Sequence, residues 1–338
     1  MKLFLQPQDQ ETPMTKNAFR RRAIASLLLA TLLTQTPTWA EEFPSRPLRI
    51  VVGFAPGVGM EVSTRLLAEQ MGKELGQPVI VENKPGAATM IAAAQVAAAA
   101  KDGYTLLMLN NQTANNVLLY KKVPYKNSDF TPVAGGGVVS MVMAVSKTVP
   151  VTTGREFLKY AKDNDGKLFY GYWGAGGSPH LLAARLASST GLTLQGVGYK
   201  DAGPATADLA SGRIQLFFTS VTHGLSMLKA GTANIVAVGT PERLPSMPNV
   251  PTFSESGIDG MPNPWWGYGV PVGTPPAVIQ KLEQAIKAAV ESPRYQAMLA
   301  STGSIPMPVS SPAKFQEFIE KDQEKWAAAI RPLKLELD

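Results

Sequence analysis

The stretch RIVVGFAPGVGMEVSTRLLAEQM, residues 49–71, decides the fold class of this 338-residue chain. It begins with β-branched residues, passes through a glycine-rich turn, and continues with apolar residues spaced three and four positions apart. This pattern predicts a strand, a tight turn and an amphipathic helix. Gly57 and Gly59 would leave backbone N–H groups free at the helix N-terminus, where small anions bind.

Nucleotide-binding turns do not fit this stretch. It lacks the lysine of a P-loop, and Val62 stands where a dinucleotide-binding turn has its third glycine. The turn is therefore either a site for a smaller anion or a turn that needs glycine for backbone reasons alone.

Strand and helix patterns alternate along the rest of the chain. Short apolar runs at residues 79–83 and 104–110 predict strands separated by helices, and a second alternating set follows the apolar run at residues 138–146. Residues 110–131 predict a long polar connection between the two sets. Such alternation predicts parallel sheets with right-handed crossovers, and two sets predict two doubly wound α/β domains.

We expect the first domain to comprise residues 41–143 and 267–338, and the second to comprise residues 144–266. The last segment predicts two helices, with Thr274 and Ser311 as N-caps and a proline after each. Ligands of open α/β sheets bind beyond the carboxyl ends of the strands, so the loops of both domains would line one ligand cleft.

Residues 1–40 predict an export signal. Arg20–Arg22 precede an apolar run, and a small-residue cleavage site ends at Ala40. The run is too short for a permanent membrane helix, so we expect cleavage after Ala40 and a periplasmic protein. A retained N-terminal anchor is the alternative. The start codon, Met1 or Met14, and the export route, general or twin-arginine, stay open.

Composition excludes several classes of function. Residues 1–40 hold five of the 32 Lys and Arg and two of the 26 Asp and Glu, so the mature chain carries a net charge of +3. We therefore expect no nucleic-acid partner. The chain has no cysteine and two histidines, which excludes cysteine catalysis and most metal sites. We expect no metal, no cofactor and no enzymatic activity.

A second glycine-rich turn, GAGGSPHLL at residues 174–182, follows an apolar strand and opens a helix. We expect Ser178 as its N-cap, Pro179 at the first helical position and His180 in the first turn. Two helix N-termini in one cleft would hold a molecule with negative charge at both ends. A hydrolase using Ser178 and His180 is a rival interpretation, but side chains two positions apart on a helix point to different faces.

Strings spread over nearly the full mature chain resemble one family. They include PLRIVVGFAPG, LGQPVIVENKPGA, GSPHLLAARLA, GYKDAGPATADLASGRIQ and PVGTPPAVIQKLEQAI. On these strings the chain resembles the extracytoplasmic solute receptors of tripartite tricarboxylate transporters, the Bug family. The resemblance implies a periplasmic binding protein fold and a monomeric, passive receptor. Such a receptor traps a small carboxylate and delivers it to the transporter's membrane subunits. A ligand-sensing module for a signalling partner would bind its ligand in the same way and stays open.

The resemblance places the ligand between a first loop, Phe54 to Glu61, and a second loop, Gly174 to His180. The family's first loop usually reads P-F-P-P-G-G-A-T-D, and the departures here, such as Gly53 and Glu61, argue against a standard short di- or tricarboxylate. The candidate ligand-binding residues are Phe54, Ala55, Pro56, Gly57, Val58, Gly59, Glu61, Asn111, Trp173, Gly174, Gly176, Gly177, Ser178, His180 and Thr219.

Aromatic residues near both loops suggest a ligand with a ring. Phe54 lies in the first loop and Trp173 precedes the second, so an apolar slot between them would fit a planar ring carrying a carboxylate. The alternative is that Tyr172 or Trp173 turns into the core of the second domain, because strand residues alternate between faces. For Trp265 and Trp266 we expect burial at the hinge.

Overall fold

The computed structural model of the protein describes residues 42–57, 59–307, 309, 311–333 and 337–338. The predicted export signal and its cleavage site, residues 1–40, lie outside the described residues. Residues 46–338 form one compact unit, which contains all the elements below.

Strands and helices alternate in this unit, as predicted. The strands are β1 (Leu48–Val52), β2 (Val79–Asn83), β3 (Thr105–Asn110), β4 (Phe130–Val139), β5 (Met141–Ser146), β6 (Leu168–Trp173), β7 (Leu194–Tyr199), β8 (Leu216–Ser220), β9 (Ala233–Val238), β10 (Trp265–Pro271) and β11 (Ser304–Ile305). The helices are α1 (Gly59–Leu75), α2 (Met90–Ala97), α3 (Asn111–Leu119), α4 (Gly154–Asp163), α5 (Ser178–Thr190), α6 (Ala202–Ser211), α7 (Val221–Ala230), α8 (Pro276–Glu291), α9 (Pro293–Thr302) and α10 (Pro312–Ile330).

The strands form two mixed sheets. The first sheet has the order β11-β4-β10-β3-β1-β2, and the second has the order β7-β6-β8-β5-β9. Strands β1, β2 and β3 are parallel, as are β6, β7 and β8, whereas β10 and β5 run antiparallel to their neighbours. The sheets are mixed rather than parallel throughout, because β5 and β10, which follow the two crossings between the sheets, run antiparallel to their neighbours.

The chain crosses between the sheets directly after β4 and directly before β10. The N–H of Val139 donates to the carbonyl oxygen of Pro264 at 2.7 Å. The side chain of Asn263 accepts from the N–H of Met141 at 3.3 Å and donates to the carbonyl oxygen of Gly239 at 2.5 Å. These hydrogen bonds connect the crossing after β4 with the crossing before β10. We call the first sheet with its helices the first lobe and the second sheet with its helices the second lobe.

Both boundaries between the lobes lie a few residues before the expected domain limits at residues 143 and 266. Residues 141–143 belong to β5 of the second sheet, although we expected them in the first domain. Trp265 and Trp266 belong to β10 of the first sheet. Both indoles are 1% exposed, so their predicted burial is confirmed.

The C-terminal helix α10 packs on both lobes. Its Phe315 lies in the core of the first lobe with Trp265. Its Trp326 lies in a second cluster with Leu119 of α3 and Leu181 of α5. Because α3 belongs to the first lobe and α5 to the second, this interlobe cluster joins the two lobes.

Two helices of the structure were not among the predicted elements. Helix α3 lies inside the polar connection of residues 110–131, where the Oδ1 of Asn110 accepts from the N–H of Thr113 at 3.0 Å. The buried face of α3 is rich in asparagine and threonine, so no apolar stripe reveals it. Helix α9 is a third C-terminal helix, and α8 has Pro275 rather than Thr274 at its cap position.

Candidate functional site

The two sheets present their strand ends to the same space. The chain leaves the first sheet at the C-terminal end of β4. At this same edge, β1 and β3 end and are followed by α1 and α3. The chain enters the second sheet at the start of β5. At this edge, β6 and β8 end and are followed by α5 and α7. The lobes meet beside the second loop, because a Cβ at Gly176 would lie 3.2 Å from Cδ1 of Leu119 on α3. Ligands of such α/β sheets bind beyond the carboxyl ends of the strands, so the space between these strand ends, called the cleft below, is the candidate site.

A closed hydrogen-bond network holds the first loop. The Glu61 carboxylate accepts from the N–H of Gly57 at 3.0 Å and from Nε of Arg65 at 2.5 Å. Arg65 Nη2 donates to Oδ1 of Asn83 at 2.6 Å, and Asn83 Nδ2 donates to the carbonyl oxygen of Phe54 at 2.9 Å. The network joins the ends of β1 and β2 to the first turn of α1.

Glu61 carries its charge inside this network. Its side chain is 1% exposed, and burial raises its pKa. Hydrogen bonds from Gly57, Asn83 and Arg65 outweigh burial, so the pKa lies below its usual range. The prediction that the Gly57 N–H is free for a ligand is wrong, because a carboxylate from the first turn of α1 already accepts it.

The other residues of the first loop lie at the surface of the first lobe. Ala55, Pro56, Gly57 and Gly59 are exposed, and Phe54 is half-buried. Val58 falls outside the described residues.

The second loop is a tight glycine turn. The N–H of Gly177 donates to the carbonyl oxygen of Gly174 at 3.0 Å, and Gly174 and Gly176 have φ of +68° and +74°. Only glycine adopts such angles at little cost. Helix α5 starts at Ser178, and Gly177, with an extended backbone, is its N-cap residue. The prediction of Ser178 as N-cap is wrong by one position, because the turn ends at Gly177.

His180 holds the second loop from inside the second lobe. Its Nδ1 accepts from the N–H of Gly176 at 3.2 Å, and its ring stacks on Tyr172 with centroids 4.0 Å apart. Burial lowers the pKa of His180, so the neutral ring can offer Nδ1 as an acceptor. Because Gly176 rather than Ser178 engages this nitrogen, the geometry fits a positioning role and not a serine–histidine pair.

The N-terminus of α5 has no resident cap. Gly177 provides no side-chain cap, and the first turn of α5 contains no acid. Helix α2 enters through a 3₁₀ turn in which the N–H of Met90 donates to the carbonyl oxygen of Ala87. The remaining helices that follow strands ending at the cleft have capping or acidic side chains of their own, which are Glu61 for α1, Asn110 for α3, Asp201 for α6 and Ser220 for α7. Among these described helices, α5 and α2 therefore begin without a capping side chain or an acid, and α5 lacks the 3₁₀ turn that precedes α2. The N-terminus of α5 is thus the better candidate for an external anion.

Buried polar groups without a partner occur at the cleft edge of the first lobe. Asn110 is the last residue of β3, and Ser140 lies at the crossing between β4 and β5. The Nδ2 of Asn110 and the Oγ of Ser140 are buried and have no hydrogen-bond partner in the described part of the chain. The amide of Asn115 on α3 lacks partners there as well. An unpaired buried group costs about 1–3 kcal/mol, so a ligand or ordered water would stabilise each.

Asn115 and Ser140 were missing from the sequence-based site. Ser140 could have been found, because it interrupts the apolar run of residues 138–146. Asn111, which was predicted, is buried beside Asn110 at the start of α3.

Two other predicted site residues make contacts within the second lobe. Trp173 packs on Phe217 with ring centroids 5.3 Å apart, and the Thr219 hydroxyl lies 3.0 Å from Nδ1 of His223. Because Tyr172 also stacks inside this lobe, the geometry favours core packing over an aromatic slot facing Phe54.

The described residues contain no group of three or more potential metal ligands. No helix in the described ranges is both long and apolar enough to cross a bilayer. In the described part of the chain, the strand ends of the two lobes thus carry unpaired buried polar side chains and the uncapped N-terminus of α5.

Two α/β lobes joined by crossing strands around such a cleft define the class of periplasmic solute-binding proteins. A family model described as the tripartite tricarboxylate transporter family receptor matches residues 63–335. The chain belongs to this family, which confirms the resemblance and the expected fold. It is a family of solute-binding receptors rather than enzymes.

Individual relatives span nearly the whole described unit. BugT of Bordetella pertussis is 29% identical over 319 residues, which are 93% of this chain and 98% of BugT. An R. palustris protein solved with adipate is 29% identical, with a TM-score of 0.72 over 88% of this chain and 100% of that chain. MatC from Rhodopseudomonas palustris with bound malate is 28% identical, with a TM-score of 0.68 over 85% of this chain and 100% of that chain.

Proposed function

We propose that this chain is a periplasmic receptor that binds a small organic carboxylate between its lobes. It would deliver the acid, as a monomer, to the membrane subunits of a tripartite tricarboxylate-type transporter. The observation that carries this proposal is the uncapped N-terminus of α5 at the cleft. The relatives solved with adipate and malate support an acid as ligand.

The carboxylate would bind the N–H of Ser178, which has no acceptor among the described residues. A hydrogen bond to a charged group contributes about 1.5–3 kcal/mol, and the helix dipole adds to it. The rest of the ligand would form hydrogen bonds with polar side chains of the first lobe, namely those of Asn110, Asn111 and Ser140. His180 would keep the turn in its binding geometry through Gly176.

The experiment places a resident carboxylate at this helix end. Ser178→Asp introduces an acid at the first position of α5, where it is compatible with the helix dipole and competes with a ligand anion. Ser188→Asp makes the same change near the other end of α5, where the side chain is exposed, and serves as the matched control.

The readout is the melting temperature of residues 41–338 with a panel of carboxylates, followed by calorimetry of the acids that stabilise. A bound acid at a hundredfold excess over Kd stabilises by about 2.7 kcal/mol. We expect Ser178→Asp to remove this stabilisation and Ser188→Asp to keep it. Stabilisation by neutral sugars or cations alone, or full acid binding by Ser178→Asp, would contradict the proposal.

A further inference from the structure

Helix α3 carries a buried polar side chain that the two lobes do not satisfy. Asn115 is 2% exposed, and neither its Nδ2 nor its Oδ1 has a hydrogen-bond partner in the described part of the chain. Buried polar groups are rarely left unpaired, because each unpaired group costs the free energy of removing it from water. An amide that is unpaired on both atoms therefore points to a group that it binds.

The face of α3 that contains Asn115 is turned toward the second lobe. Asn111, Asn115 and Leu119 are spaced four residues apart, so they lie on one face of the helix. Leu119 belongs to the interlobe cluster, and its Cδ1 lies 3.2 Å from the position of a Cβ added at Gly176 in the second loop. Asn115 is one helical turn, roughly 6 Å along the axis, from Leu119 toward the start of α3. It therefore lies between the second loop and the end of β3.

Asn115 differs from the amides beside it, each of which uses one of its two polar atoms inside the first lobe. The Oδ1 of Asn110 accepts from the N–H of Thr113 at 3.0 Å and caps α3. The Nδ2 of Asn116 donates to the carbonyl oxygen of Ala88 at 2.8 Å. These two side chains hold α3 in place, whereas the Asn115 amide has both of its atoms available.

The chemistry of this amide specifies its partner. An asparagine side chain presents a donor and an acceptor in one plane, so a group that pairs with both must accept and donate through neighbouring atoms. A carboxamide does so with its C=O and N–H. We infer that Asn115 is a specificity-determining residue that pairs with a carboxamide on the ligand, which therefore carries both a carboxylate and an amide. This inference rests on the proposed function, in which the carboxylate binds at α5.

The test compares acids in which a methyl ketone replaces the carboxamide without a change of shape. Calorimetry of residues 41–338 would use succinamate and 4-oxopentanoate, glutaramate and 5-oxohexanoate, and 4-carbamoylbenzoate and 4-acetylbenzoate. We expect the amide of the best-bound pair to bind about fivefold or more tightly than the ketone, because the ketone leaves Oδ1 without a donor. Equal or tighter binding of the ketone, or binding of other acids only, overturns the inference and leaves the proposed function standing. Failure of every acid to bind overturns both.

Variants assign the preference to Asn115. Asn115→Leu keeps the size of the side chain and removes both polar atoms, so we expect the amide and the ketone of each pair to bind equally. The free variant should melt no lower than the wild type, because the amide has no protein partner to lose in the described part of the chain. Asn249→Leu makes the same change at an exposed position between β9 and β10 and should keep the preference.

A purely structural role for Asn115 gives a different result. In that case Asn115→Leu would lower the melting temperature of the free protein and leave the ratio of amide to ketone affinity unchanged. An unchanged ratio overturns the inference. The wild-type pairs decide the matter if that variant does not fold.

Discussion

Replacing Asp322 by asparagine should remove a pH dependence from the stability of the folded protein. Asp322 lies where the core of the first lobe meets the interlobe cluster. The Oδ2 of Asp322, on α10, accepts from Nε1 of Trp265 at 2.6 Å and from Nε1 of Trp326 at 2.9 Å. Trp265 begins the strand that returns to the first lobe, and Trp326 lies in the interlobe cluster. Asp322 therefore connects the first lobe's core to the contact between the lobes.

The magnitude follows from the pKa of this group. Burial raises the pKa of Asp322 from 3.8 to about 6, although both indoles and Lys325 favour the charged form. A folded-state pKa above the unfolded one means that stability is fully present below pH 4 and is lost as the pH rises through 6. Two pKa units correspond to roughly 3 kcal/mol. Asparagine keeps an acceptor oxygen for the indoles but has no charge to bury.

Urea unfolding of wild type and Asp322→Asn between pH 4 and pH 8 measures this effect. We expect near-equal stability at pH 4 and an advantage for the variant of up to roughly 3 kcal/mol at pH 7. Glu324→Gln, an exposed acid on the same helix, controls for the change in net charge. A difference between wild type and Asp322→Asn that does not change with pH would contradict the raised pKa of Asp322.

Three further outcomes are expected. Gly53→Ala places a Cβ 2.6 Å from the Cβ and 2.9 Å from the Cα of Thr89, so it should destabilise the fold by about 1–3 kcal/mol in urea unfolding. Thr89→Gly removes the side-chain part of this contact and should recover part of the loss, whereas fully additive losses would contradict the contact. His180→Leu removes the acceptor for the Gly176 N–H, so the unfolding free energy should fall by about 1–3 kcal/mol, and an unchanged value would show that the bond is unimportant. Intact-mass measurement of exported protein should give a chain that starts at Glu41, whereas a longer chain would exclude cleavage after Ala40.

Local patterns predicted the strand–turn–helix units well. The first loop and its helix depend on residues close together in the chain, so apolar spacing and glycines were enough to place them. Helix α3 was missed because hydrogen bonds cover its buried face. Thr113 pairs with Thr89, and Asn116 donates to the carbonyl oxygen of Ala88. Periodicity of apolar residues cannot detect such a face.

The side-chain contacts of the two loops were harder to predict than the loops themselves. The spacing of Gly57 and Glu61 permits the bond between them, but only the side-chain conformation shows that the acid turns back into the loop. The direction of Trp173 depended in the same way on packing against Phe217, a residue far along the chain. Both cases concern where a side chain points, which residue types alone do not determine.

The proposed function depends above all on where a bound carboxylate lies relative to α5. A crystal structure of residues 41–338 with the acid that stabilises the protein most would supply it. We expect carboxylate oxygens within about 3 Å of the Ser178 nitrogen, at hydrogen-bond distance, with Glu61 still bonded to Gly57. A carboxylate on the first loop in place of Glu61, or an acid bound outside the cleft, would contradict it.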